Sequence, residues 1–293
     1  VSRCSEYNLS MKLPVFFHIP KNAGTYISSM TLPCLRQYIT ESGIDIWEWY
    51  HLDVRRDNTT YYRIIGYRGS RDLNDSYVRQ PGLGNHRISF YNVDIKDLNF
   101  EDFIPFALTV VDMGFTNYRE DIYNILPSEI KPYEFMCLRE PYSRIQSLYS
   151  YIQSNQSNHE PTNSAYESLS FIEYLNSSLL EGGWLIKRLL GLVDQTPIEQ
   201  THFERVCQIL DNILICYLDD LFSCICKVYK GCYNIDVSAN LISGEGACYN
   251  KTYNKVNVPF DSLDDKTRST FLNQTKWDRK IYNTYSNANI PST

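Results

Sequence analysis

The stretch FFHIPKNAGT, residues 16–25, constrains the fold more than any other part of this 293-residue chain. The apolar run at 14–19 (PVFFHI) reads as a short buried strand, and it gives out at Pro20 into small and polar residues. Residues 23–38 then carry helical spacing, so a strand, a tight turn and a helix are predicted in immediate succession. At such a corner the amides of Asn22, Ala23, Gly24, Thr25 and Tyr26 converge at a helix amino terminus, where unpaired N–H groups and the helix dipole favour a phosphate. Gly24 lets the backbone approach an anion, Thr25 adds a hydroxyl donor, and Lys21 stands at the mouth as a mobile positive charge. The spacing is not GxxxxGK[ST], the usual nucleotide-triphosphatase loop, because the lysine precedes the glycine.

A second corner of the same kind lies at 135–147 (FMCLREPYSRIQS). Residues 134–138 predict a buried strand, and Pro141 suits the first turn of a helix continuing over 142–153, with Ile145, Leu148, Tyr149 and Ile152 on its apolar positions. Another buried strand is expected at 106–113 and a helix at 117–126, stopped by Pro127. The second half reads as helical over 168–180, 184–190, 203–212, 219–228 and 263–285. Strands alternating with helices predict an α/β fold: a mainly parallel central sheet flanked by helices, with a helical C-terminal half, in a single domain spanning 1–293.

Composition bounds the partners. With 43 % hydrophobic and 21 % charged residues the chain is globular, which excludes wholesale disorder. Its longest apolar stretch, near 103–111, falls short of the ~18–20 residues of a membrane span. No signal peptide is visible, and membrane attachment is expected only through an anchor absent from this chain. The net charge of −6 argues against generic nucleic-acid binding. The charge is uneven, however: residues 55–87 hold seven arginines against three aspartates. This window reads either as a solvated arginine-rich loop or as a surface that receives an anionic partner. The nine cysteines cannot all pair within one chain, and six fall between Cys207 and Cys248. Disulfides among Cys216, Cys224, Cys226, Cys232 and Cys248 and buried free thiols are both open. No CxxC pair occurs and the histidines are scattered, so no metal site is expected. Seven Asn-x-Ser/Thr sequons, starting at Asn8, Asn58, Asn74, Asn155, Asn176, Asn250 and Asn273, lean towards a secretory lumen, with the cytoplasm as the alternative.

The eight residues HIPKNAGT resemble the 5′-phosphosulfate loop of sulfotransferases that use 3′-phosphoadenosine 5′-phosphosulfate, most of all the branch containing the heparan sulfate and uronyl O-sulfotransferases. The second corner is similar to that family's 3′-phosphate motif, whose Arg and Ser correspond to Arg139 and Ser147. On this resemblance Arg139 grips the ribose phosphate with planar bidentate donors, Ser147 points at the same oxygens, and Arg144 serves the helix. Fainter likeness continues at 184–191, 212–221 and 276–282, and Lys251 and Lys255 lie in a polar loop before the last of these. The resemblance implies a three-layer, P-loop-like fold and a sulfuryl transfer from that donor to a hydroxyl, in a Golgi-lumenal carbohydrate sulfotransferase.

Such a transfer needs a base for the acceptor hydroxyl, an in-line approach, and a positive group at the leaving phosphate. Lys21 and the loop amides suit the last task. The segment 84–90 (GNHRISF) resembles the family's Gly-His segment and makes His86 the expected base, with Glu41 or Glu48 as second choice. His18 is expected as a packed core residue of the first strand. The arginine window then implies that Arg55, Arg56, Arg63, Arg68 and Arg87 attract an anionic glycan acceptor. The alternatives are a glycan-binding protein that keeps the fold without turnover, and a P-loop nucleotide kinase, for which Asp112 is the obvious magnesium carboxylate.

Overall fold

The computed structural model describes residues 12–19, 27, 48–56, 59–68, 78–79, 88–98, 107–111, 123, 126, 128, 130–153, 168–178, 180, 182–193, 195–234, 236–237 and 256–288. Its strands are β1 (Lys12–Phe17), β2 (Glu48–Arg56), β3 (Thr59–Arg68), β4 (Val78–Arg79), β5 (Ile88–Asp94), β6 (Ala107–Val111), β7 (Lys131–Leu138) and β8 (Leu214–Tyr217). The α-helices among the described residues are α1 (Pro141–Gln153), α2 (Phe171–Asn176), α3 (Trp184–Leu190), α4 (Gln200–Leu210), α5 (Leu221–Tyr233), α6 (Asp265–Gln274) and α7 (Lys276–Ala288).

All eight strands join one sheet in the order β4-β5-β2-β3-β6-β1-β7-β8. β6, β1, β7 and β8 run parallel to one another, the arrangement expected of the alternating strands and helices. The other half differs from expectation. β3 runs antiparallel to both β6 and β2, β5 is parallel to β2, and β4 is antiparallel to β5, so the sheet is mixed. The arginine window thus contains the end of β2 and the whole of β3 and β4 rather than being one continuous loop. The physical cause is legible in β2, where Leu52 and Val54 are buried while Asp53 and Arg55 alternate with them: charged residues at alternate positions are compatible with a half-buried strand.

Alternation along β1 and β7 splits the core in two. Leu13, Val15 and Phe17 of β1, with Met136 and Leu138 of β7, pack on one face beneath α3, α4 and α7. Phe16, Phe135 and Cys137 point to the other face, under Cys216 of β8 and α5. The apolar positions of α5 (Leu221, Cys224, Ile225, Val228, Tyr229, Cys232 and Tyr233) follow helical spacing along its whole length and are all buried. The parallel half of the sheet is therefore covered by helices on both sides. A third cluster joins Tyr142, Ile145 and Tyr149 of α1 to Phe171, Tyr174 and Leu175 of α2 and Phe271 of α6.

The predicted helix at 263–285 is two helices. Thr275 closes α6, its N–H and its hydroxyl both donating to the Phe271 carbonyl at 2.9 and 2.8 Å, while its own carbonyl accepts from Arg279 at the start of α7. A threonine hydroxyl bonded back one turn competes with the helical ladder and bends the chain there. The helix expected at 168–180 is shorter, because Ser170 and Glu173 form a reciprocal capping box that starts it at Phe171.

Candidate functional site

β2, β5, β6, β1, β7 and β8 all end at one edge of the sheet, since β2 is antiparallel to β3 and β3 to β6. At that carboxyl edge the chain leaves β1 and next re-enters the sheet at β2, on the β6 side; leaving β7, it re-enters at β8, on the opposite side. The two exits also part to opposite faces: Ile27 packs in the α5 cluster, whereas α1 packs against α7. The gap between β1 and β7 is thus a topological switch point, the crevice where open α/β sheets bind ligands. The strands are hydrogen-bonded neighbours in register, Phe17 opposite Met136, so their backbones exit about 5 Å apart.

Arg139 stands at this crevice, half-buried immediately after β7. Its Nε–H donates to Ser143 Oγ at 3.0 Å. Burial lowers the pKa of the guanidinium, opposed by charges that include Glu140 and Asp219. A guanidinium remains charged in a protein, so a half-buried one is stabilised by an anion. Glu140 closes the helix start: its Oε1 accepts from Tyr142 N at 2.9 Å and its Oε2 from Ser143 N at 2.7 Å. The amides of the first turn of α1 are therefore satisfied by the chain's own carboxylate, which complements the helix dipole. The amino terminus of α1 is thus occupied by Glu140. Ser147 lies half-buried one turn beyond Ser143 on the same stripe of α1.

Residues from distant parts of the chain complete the surroundings. Asp219 lies in a 3-10 turn, Leu218–Asp220, directly after β8. Tyr282 of α7 meets Tyr217 at the end of β8 edge to face, with ring centroids 6.5 Å apart. Burial raises the Tyr282 pKa, and Glu140 and Asp219 raise it further, so both acids act on Arg139 and Tyr282 together. Sequence reasoning missed Ser143, Asp219 and Tyr282; only the Ser143 spacing, four residues after Arg139, carried a signal.

Arg144 is buried, its guanidinium 4.7 Å from the centre of the Trp184 ring. Behind it lies Asp278 of α7, whose carboxylate accepts from Gly183 N at 2.9 Å and Leu185 N at 3.0 Å at the start of α3. Burial raises the Asp278 pKa, while Arg144 and the amides of this helix start pull it back. This buried knot ties α1, α3 and α7 together beneath the Arg139 corner.

Of the other expected site residues, Lys21, Asn22, Ala23, Gly24, Thr25, Tyr26, His86, Arg87, Glu41, Lys251 and Lys255 lie outside the described residues. Arg55 and Arg56 end β2 at the same carboxyl edge as Arg139. Three strand spacings, about 15 Å, separate β2 from β1. Arg63 is half-buried opposite Asp53, with Val110 of β6 between it and Phe16 of β1 in the same row. Arg68 ends antiparallel β3, and Glu48 opposite it begins β2, so both backbones sit at the other edge, away from Arg139. His18 is half-buried just past the end of β1, 5.8 Å from the Phe16 ring between centroids, rather than packed within the strand. His202 serves α4, its Nδ1 accepting from Glu199 N at 3.1 Å. Asn176 is also engaged, donating to Thr267 Oγ1 at 2.8 Å, so the nitrogen that a glycan would occupy is already bonded. Scanned against protein-family models, and compared with curated proteins and with solved structures, the chain returns no match.

Proposed function

We propose that this protein is a sulfotransferase of P-loop-like fold, moving a sulfuryl group from 3′-phosphoadenosine 5′-phosphosulfate to a hydroxyl of an anionic glycan. The observation that carries the reading is the placement of Arg139 at the switch point between β1 and β7, beside the exit that leads into HIPKNAGT. Arg139 and the sequence HIPKNAGT, which follow adjacent parallel strands, fit the two phosphate ends of one nucleotide. The half-buried guanidinium of Arg139 suits the 3′-phosphate, with Ser147 on the stripe of α1 that leads away from it. Lys21 and the amides of residues 22–26 are assigned the 5′-phosphosulfate end.

In the proposed reaction His86 takes the acceptor proton as the new oxygen–sulfur bond forms. The sulfur–oxygen bond to the 5′-phosphate breaks, and Lys21 offsets the charge that grows there. Arg55 and Arg56, whose backbones end β2 at the same edge of the sheet, are assigned to attracting the anionic glycan. A disulfide between Cys216 and Cys224 favours an oxidising compartment and so the Golgi lumen over the cytoplasm.

Calorimetry with 3′-phosphoadenosine 5′-phosphate tests the reading. Arg139→Ala is expected to weaken binding about 10- to 100-fold, the value of a charge-assisted phosphate contact. Equal affinity in wild type and variant would remove the nucleotide from this crevice. A transfer assay with labelled donor then separates an enzyme from a glycan-binding protein: Lys21→Ala should abolish most turnover.

A further inference from the structure

We infer that Ser143 is a positioning residue for the 3′-phosphate, acting through Arg139; the inference rests on the nucleotide reading above. The Ser143 hydroxyl accepts the Arg139 Nε–H at 3.0 Å, four residues apart across the strand-to-helix corner. A guanidinium is planar, so fixing Nε fixes the plane in which the two Nη groups present their donors. With Nε engaged by the protein itself, a phosphate at this corner is met by the Nη edge. Ser143 is in turn held rigidly: its own N–H donates to Glu140 Oε2 at 2.7 Å, and the neighbouring Tyr142 N–H donates to Oε1 at 2.9 Å. Tyr142 is anchored at its far end by its hydroxyl, which donates to the Val258 carbonyl at 2.9 Å. The corner is thus built from Glu140 through Ser143 to Arg139, so the arginine is oriented before ligand arrives and less side-chain freedom is lost on binding.

The same geometry separates Ser143 from Ser147. Ser147 is the serine that the family resemblance assigns to the phosphate; Ser143 is the one that the structure joins to the arginine. In accepting from Nε the Ser143 oxygen uses a lone pair, and this bond to the arginine is the one assigned to orientation.

The test measures binding of two probes, 3′-phosphoadenosine 5′-phosphate and adenosine 5′-phosphate, to wild type, Ser143→Ala, Ser143→Thr and Arg139→Ala. Alanine is favourable inside a helix and the Glu140 caps are made to backbone, so Ser143→Ala is expected to keep the wild-type Tm. Its affinity for the 3′-phosphorylated probe should fall about three- to tenfold, with no change for adenosine 5′-phosphate. Ser143→Thr, which keeps a hydroxyl, should restore most of the loss. Selective loss with rescue supports the positioning role. Unchanged affinity in Ser143→Ala beside a clear loss in Arg139→Ala overturns it while the nucleotide reading stands. An equal loss for both probes also overturns it, as a general disturbance of the corner. No change in Arg139→Ala overturns the nucleotide reading and this inference with it.

Discussion

At the scale of single residues, the charge around Arg139 is balanced more finely than its motif suggests. Glu140 is committed to the α1 amides, whereas Asp219 is an exposed carboxylate in the turn after β8 that acts on the guanidinium from the side. An anion arriving at Arg139 is repelled by Asp219. Asp219→Asn should therefore tighten binding of 3′-phosphoadenosine 5′-phosphate by about two- to fivefold, the range of one exposed charge pair. The gain should shrink as salt is raised, because the Debye length falls from ~10 Å at 0.1 M to ~3 Å at 1 M. Calorimetry at two salt concentrations checks both statements; weaker binding in the variant would make Asp219 a ligand contact instead. Arg139 was legible in the sequence because a strand, a proline and a helix surround it within a few residues. Asp219 and Tyr282 were not, since only the folding of β8 and α7 against β7 and α1 brings them to the crevice.

At the scale of elements, the helices that carry their own punctuation were readable. α3 is flanked by Gly183 and Gly191, both left-handed at φ 68° and 64°, and its bounds match the expected 184–190. What the sequence could not display is that the start of α3 is held by a carboxylate from α7. Asp278→Ala would leave Gly183 N–H and Leu185 N–H without that acceptor, and the buried Arg144 without the acid that acts on it. Breaking one side of a buried charged network costs about 3–5 kcal/mol, so the urea midpoint should fall sharply. A shift no larger than that of an exposed-site control would mean the knot is not structural. That the loop alternative for residues 55–87 gives way to strands has a different origin. Thr59–Arg68 (TTYYRIIGYR) is rich in β-branched and aromatic residues, but its density of arginine drew the reading towards charge instead of period.

At the scale of the whole molecule, β1, β6 and β7 of the parallel half were legible as short apolar runs, while β8 was not among the strands expected from such runs, and the order of strands depends on pairings between segments far apart in sequence. The cysteines pose the same problem, since nine of them allow many pairings, and among the described ones the docking of β8 beside β7, with α5 packed over both, brings Cys216 and Cys224 together. Cys216 and Cys224 are bonded across a separation of eight residues, enclosing the turn that carries Asp219, and both are buried. Closing so short a loop removes about 2–3 kcal/mol of unfolded-state entropy in the chain-entropy picture. In a domain of this size Cys224→Ser should lower Tm by about 5–10 °C. Cys137, which faces Cys216 across the parallel pair, is a poor rescuer, because burial pushes its thiol up to about 12 and leaves little thiolate to attack at neutral pH. Scanning calorimetry of the oxidised wild type, the wild type unfolded and refolded with a dithiol reductant, and Cys224→Ser should therefore give one high Tm and two low ones. Three equal values would mean that the bond does not form in solution, and the case for an oxidising lumen would then rest on the sequons alone.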